Sequence, residues 1–283
     1  MNRSDRNLVI AIGVVFIIVV GGFVGTIMYT GMTTPFSVVM SQSMQHSQTE
    51  SEIGVIDTGD VVMVMDPSKT QIYSYVEGTQ NGHSSFGDYG SVIIYDRGSN
   101  YNPVIHRAIV WLDYNPGTDT WSAPSLDGYA GTWYYEDETG QRVQNPDPYN
   151  ITGTLVFEDI TVSGKDVEIN VDSLNKHSGY LTMGDNTRNN YFDQVSILGV
   201  QHDLVSMDDI RSVPFLEIPW LGTLKILISN GGENLEYVTN SLPSLIMCII
   251  VIFGFLMLLD GLTLYRNQKG LIYRISRVRE CSR

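Results

Sequence analysis

The sequence predicts a mainly β domain held between two membrane-spanning helices. Three observations predict it: an uncharged apolar run near each end, basic residues outside both runs, and a long middle of short β-like segments. Leu8 to Met32 is free of charge, and Leu242 to Leu259 is a second such stretch, extended to about Tyr265 by accepting Asp260 near an interface. At about 1.5 Å per helical residue, runs of this length reach across the roughly 30 Å hydrocarbon core.

The charges divide at these runs. The ends carry Arg3, Arg6, Arg266, Lys269, Arg274, Arg277, Arg279 and Arg283 against Asp5, Asp260 and Glu280. The middle keeps the other 9 of 17 basic residues against 28 of 31 acidic ones. Basic flanks on the terminal side of both runs follow the positive-inside pattern. The expected organisation is a cytoplasmic N-terminus (1–7), transmembrane helix 1 (8–32), an extracytoplasmic domain (33–241), transmembrane helix 2 (242–265) and a basic cytoplasmic tail (266–283). A cleaved secretory signal is the alternative for the first run, but no small-x-small pair is well placed after it.

Composition narrows the function further. A chain of 283 residues is long enough to bury a sizeable core. A net charge of -14 argues against a nucleic-acid partner, which needs a basic stripe to neutralise phosphates. Two cysteines, Cys248 and Cys281, exclude a disulfide-stapled fold, and no Cys/His spacing suits zinc, so neither a metal nor another cofactor is expected.

Within the middle, Val61 to Met65, Ser91 to Tyr95, Val104 to Trp111, Gly179 to Met183 and Val195 to Val200 are short apolar runs bounded by turn residues. Val167, Ile169 and Val171 alternate with Glu168, Asn170 and Asp172, the period of a half-buried strand. No amphipathic helix of comparable strength stands out between 50 and 210. The stretch from about Asp113 to Gly153 is rich in Trp and Tyr, acidic and broken by four prolines. It reads as an inserted subdomain or loop set whose aromatics pack the insert rather than form a ligand platform. None of its acidic loops has EF-hand spacing. Val213 to Leu227 mixes Trp220 with aliphatics and prolines, and fits either a membrane-interface segment or a strand closing the domain.

Three places carry candidate chemistry. Ser41-Gln42-Ser43-Met44 follows the first run by about ten residues, and a nucleophilic Ser requires a base and oxyanion donors. His106 stands in Val104 to Val110, on one strand face with Val104, Ala108 and Val110; its ordinary fate is a satisfied core histidine, its chemical use that of a base. Gly184-Asp185-Asn186, with Asp193 beyond, reads as a turn or as the carboxylate source that orients an imidazole.

An apolar anchor, Ser41 to Met44, Gly59-Asp60-Val61-Val62, His106-Arg107, and Gly184-Asp185-Asn186 with Asp193 follow one another in an order that resembles type I signal peptidases of the archaeal and endoplasmic-reticulum branch. The resemblance covers about 33–111 and 178–200. It implies a signal-peptidase-like β catalytic domain and a serine endopeptidase, a peptide hydrolase of protein secretion that processes the signal peptides of secretory pre-proteins at the outer membrane face. It implies Ser43 as nucleophile, His106 as general base where the bacterial branch uses Lys, and Asp193 as third member with Asp185 in support. The Ser43 backbone N–H and the Ser41 hydroxyl would hold the oxyanion.

The chain departs from the pattern at His46, where the family usually has Pro, and in the longer gap between Asp185 and Asp193. Which Asp pairs with His106 therefore stays open, and His46 is a rival base. Two spans and the acidic outer region lean towards an archaeon. The competing reading is a non-catalytic, membrane-tethered β-rich binding module, which would not require Ser43, His106 and a carboxylate to converge.

Overall fold

The computed structural model describes residues 3–98, 101–188, 190–195, 202–229 and 238–280. In chain order the elements are α1 (Arg3–Thr30), β1 (Phe36–Val38), β2 (Val61–Met65), α2 (Tyr75–Asn81), β3 (Ser84–Ser85), β4 (Asp88–Tyr89), β5 (Val92–Tyr95), β6 (Val104–Asn115), β7 (Thr120–Ser122), β8 (Thr132–Glu136), β9 (Thr154–Ile160), β10 (Lys165–Asn170), β11 (Gly179–Met183), β12 (Ile210–Ile218), α3 (Thr223–Ser229) and α4 (Ser241–Glu280).

The chain is mainly β, with a long apolar helix at each end. Spans Asp5–Thr30 and Ser241–Arg266 are long and apolar enough to cross a membrane, and the apolar stretch of each is not buried against the rest of the chain. Their large side chains, such as Phe16, Ile17, Phe253 and Met257, are exposed. Helix α4 does not stop at the end of its apolar stretch but runs on to Glu280.

The principal sheet curls into a half-barrel, with strands ordered β1-β2-β12-β5-β6-β11 and β7 paired to the far end of β6. All of its strand pairs are antiparallel. The apolar runs at Val61, Ser91, Val104 and Gly179 supply β2, β5, β6 and β11. The run at Val195 to Val200 lies outside the described residues except for Val195, which sits in a bend. The segment from Val213 splits in two: its first part belongs to β12, between β2 and β5, and its last part forms α3.

Residues 113–153, expected to be an inserted subdomain or loop set, contain regular structure. β6 continues to Asn115, and β8 joins β9 and β10 in a second antiparallel sheet that extends to Asn170. In β10, Val167 and Ile169 are buried while Glu168 and Asn170 are exposed, so the alternation produces one apolar face. That face packs with Leu155, Phe157, Trp121 and Tyr135 in the largest core cluster. Tyr114, Tyr129 and Trp133 pack against the same cluster, which is the packing role expected of the aromatics. Helix α2 is a short helix inside 50–210, where no strong amphipathic helix is expected. Ser74 accepts from Glu77 N, and the Glu77 carboxylate accepts from Ser74 N, a reciprocal cap legible in Ser74-Tyr75-Val76-Glu77.

One expected face is broken. Val104 and Ala108 pack with Tyr95 and Val213, but Val110 packs with Ile109 in the larger cluster. The cause is a bulge: Leu181 pairs with Val110 while Thr182 pairs with Ala108, leaving Ile109 as an extra residue of β6.

Gly59 is fixed by its turn. Its φ is 95°, and a Cβ there would lie 2.2 Å from Thr223 Oγ1. Gly59→Ala is expected to destabilise the protein by about 1–3 kcal/mol through backbone strain alone. Urea unfolding of the detergent-solubilised chain measures this, and an unchanged midpoint would show that the turn relaxes.

Candidate functional site

The first wall of the site is the loop after β1. Met44 is 1% exposed and packs with Val39, Ile56 and Val62, so it anchors the loop in the core. Ser43, half-buried, and Ser41, exposed, face outward with their hydroxyl oxygens 3.2 Å apart. Two sets of contacts hold this loop. On one side Asn186 N donates to Ser43 O at 2.9 Å, and Asn186 Nδ2 donates to Gln42 O at 2.5 Å. On the other, Thr58 Oγ1 lies 2.8 Å from Ser41 O and 2.6 Å from Gln45 Oε1. Backbone bonds Val39 N to Asp60 O and Gly59 N to Val39 O, both 2.9 Å, extend that second hold.

The second wall is the start of β6. Successive strand side chains leave on opposite faces, so His106 and Arg107 serve different partners. His106 Nδ1 lies 2.6 Å from Asp193 Oδ2. The same carboxylate oxygen accepts from Tyr95 Oη and Thr182 Oγ1, each at 2.7 Å. Asp193 N also donates to Thr182 O at 2.9 Å, and Gln194 Oε1 accepts from Thr182 N at 3.0 Å. Burial pushes the Asp193 carboxyl up, but the charge and hydrogen bond of His106, with the Thr182 and Tyr95 hydroxyls, outweigh it and hold Asp193 below the ordinary range. Burial and the Asp193 charge push Tyr95 well up, so its hydroxyl remains a donor.

Arg107, fully buried, turns to Asp185. Its Nε donates to Asp185 Oδ1 at 2.9 Å and its Nη2 to Asp185 Oδ2. Its Nη1 donates to Tyr89 O at 3.0 Å and Gly90 O at 3.1 Å. Burial raises the Asp185 carboxyl, and the Arg107 charge reverses this, leaving Asp185 lowered. The pairing left open by the sequence is therefore settled geometrically: Asp193 meets His106, and Asp185 meets Arg107. His46 joins the Asp185 side, with Nε2 3.6 Å from Asp185 Oδ2.

Ser41, Ser43 and His106 line one cleft of about 890 Å³, together with Val38, Val39, Met40, Arg97, Tyr101 and Lys225. His46 is not among its lining residues, and neither is an acidic side chain. The arrangement offers hydroxyls and an imidazole in one cleft, with the imidazole backed by a carboxylate. Among the described residues no group of three or more His, Cys, Asp or Glu is arranged to hold a metal ion. The chain matches no family model and no curated protein.

Sequence reasoning missed the groups that hold the site. Tyr95 and Thr182 lie in expected strands, but nothing local marks their hydroxyls as partners of Asp193. Asn186 was read as part of a turn, not as the clamp on the Ser43 loop. Gly59-Asp60 entered only as a motif, and its chemistry is a buried carboxylate behind that loop: Asp60 Oδ2 accepts from Asp57 N at 2.7 Å and Oδ1 from Trp220 N at 2.8 Å.

Burial raises Asp60 from 3.8 to about 7, against those two backbone donors and helped by the charges of Glu217 and Asp57. The folded state thus binds this proton more tightly than the unfolded chain. The resulting stabilisation is complete below about pH 4 and lost as the pH rises through about 7. The urea midpoint is expected to fall between pH 5 and pH 8, with a shallower fall in Asp60→Asn. Identical slopes in the two proteins would show that Asp60 is not the titrating group.

Proposed function

We propose that this chain is a membrane-anchored serine endopeptidase of the type I signal-peptidase class, archaeal and endoplasmic-reticulum branch, cleaving signal peptides from secretory pre-proteins. The observation that carries the reading is the convergence of three remote segments: Ser43 and His106 on one cleft, and Asp193 on the far nitrogen of that imidazole. The ordered motifs beside an apolar anchor, and the two apolar end helices, support it. Basic residues at both ends favour cytoplasmic termini and an external catalytic domain.

The chemistry follows from the arrangement. Asp193, kept ionised, accepts a hydrogen bond from His106 Nδ1–H and so leaves Nε2 as the base. Nε2 takes the Ser43 hydroxyl proton as Oγ attacks the scissile carbonyl. The Ser43 backbone N–H and the Ser41 hydroxyl stabilise the developing oxyanion. The imidazolium returns its proton to the leaving amine, and water then hydrolyses the acyl-enzyme by the same path. Strand β1 is the edge of the principal sheet and its Ser37 and Val38 line the cleft, a geometry suited to an extended substrate adding alongside. Anchoring confines enzyme and precursor to one membrane face.

Ser43→Ala and His106→Ala are each expected to abolish cleavage of a model precursor, while Asp193→Asn lowers kcat/KM by about a thousandfold or more through the wrong imidazole tautomer. Asp185→Asn acts mainly through stability, seen as a lower unfolding midpoint. Retained turnover in Ser43→Ala or His106→Ala removes that residue from the chemistry, and a larger kcat/KM loss in Asp185→Asn than in Asp193→Asn reverses the roles of the two carboxylates.

A further inference from the structure

The buried polar groups behind the Ser43 loop do not end in the β domain. Asn240 and Ser241 stand at the head of α4 and are 2% and 0% exposed. Asn240 Nδ2 donates to Asp57 Oδ1 at 2.9 Å, and Ser241 Oγ donates to Thr58 O at 2.6 Å. Asp57 and Thr58 are themselves 1% and 0% exposed. Thr58 is also the residue whose hydroxyl lies 2.8 Å from Ser41 O and 2.6 Å from Gln45 Oε1. Two residues remote in sequence are thus one hydrogen bond from the turn that grips the loop. Water does not reach these groups, so a lost partner is not replaced by solvent.

We infer that Asn240 and Ser241 are positioning residues for Ser43, so that the seating of the second apolar helix on the 57–60 turn sets the alignment of the nucleophile loop. This rests on the endopeptidase reading for its effect on turnover, but the mechanical link stands on the hydrogen bonds alone. The loop has two holds. The Asn186 hold comes from the segment after β11, and the Thr58 hold is the one continuous with the membrane helix. Loosening the second leaves His106–Asp193 and Arg107–Asp185 in place, because neither pair touches Asp57, Thr58, Asn240 or Ser241. None of the four lines the cleft itself, and its other wall, from Asn102 to His106, is untouched. The expected signature is a loss in kcat with substrate binding preserved.

The test uses the full chain in proteoliposomes, comparing wild type, Ser241→Ala and Asn240→Ala on a model precursor. Backbone hydrogen exchange is followed by mass spectrometry in the same samples. Ser241→Ala is expected to lower kcat by about tenfold with KM within about twofold. Exchange is expected to rise in residues 39–46 and 57–60 and to stay at the wild-type level in 104–115 and 154–170. Asn240→Ala gives the same pattern and decides the matter if Ser241→Ala does not fold. Unchanged kcat together with unchanged exchange in 39–46 overturns the inference, as does a rise spread over the whole domain. If the wild type cleaves no precursor, the endopeptidase reading falls, and exchange confined to 39–46 and 57–60 still upholds the link.

Discussion

Much of the site depends on one buried ion pair. Arg107 and Asp185, both fully buried, join strand β6 of the principal sheet to the segment after β11. Such a pair is costly to bury and costlier to break: removing one partner strands the other, at about 3–5 kcal/mol. Its return here is geometric. It fixes Asp185, hence its neighbour Asn186, hence the backbone of Gln42 and Ser43. The remaining guanidinium nitrogen holds the carbonyls of the turn before β5. One side chain thereby sets the relative places of three segments that sequence keeps far apart.

The two carboxylates divide their labour by the face of β6 they meet. Asp193 receives hydroxyls from Tyr95 and Thr182 and an imidazole from His106, all on one oxygen. Asp185 receives a guanidinium and no hydroxyl of that set. Burial pushes both carboxyls up, and in both the donors outweigh it. In the proposed chemistry the first orients and charges the base, while the second keeps the walls of the cleft in register.

Much of the fold was legible because its signals are local. The apolar end runs, the alternation in β10 and the runs of β2, β6 and β11 are each set by a few neighbouring residues. The capping box of α2 was equally local and was passed over because the segment is short. The site was legible only as a set of motifs. That His106 meets Asp193 and not Asp185 depends on how the chain after Met183 returns to the sheet, and no spacing rule encodes that path. The parts played by Tyr95, Thr182, Thr58 and Asn240 were invisible for the same reason: each is a hydrogen bond between distant segments whose residue types are common anywhere. The broken face at Val110 shows the limit of a strict period of two, since one extra residue reverses it.

That extra residue makes β6 serve two masters. Ahead of Ile109 the strand carries His106 to Asp193 and Arg107 to Asp185; beyond it the same strand reaches the aromatic sheet through Leu112 and the β7 pairing. The inversion confines crossing of the two environments to a single backbone position. Evolutionary trimming or duplication of one codon there would turn Trp111 and its followers inside out while leaving the imidazole where it was. The two halves of the strand thus pack into separate clusters, and a change in one leaves the register of the other intact.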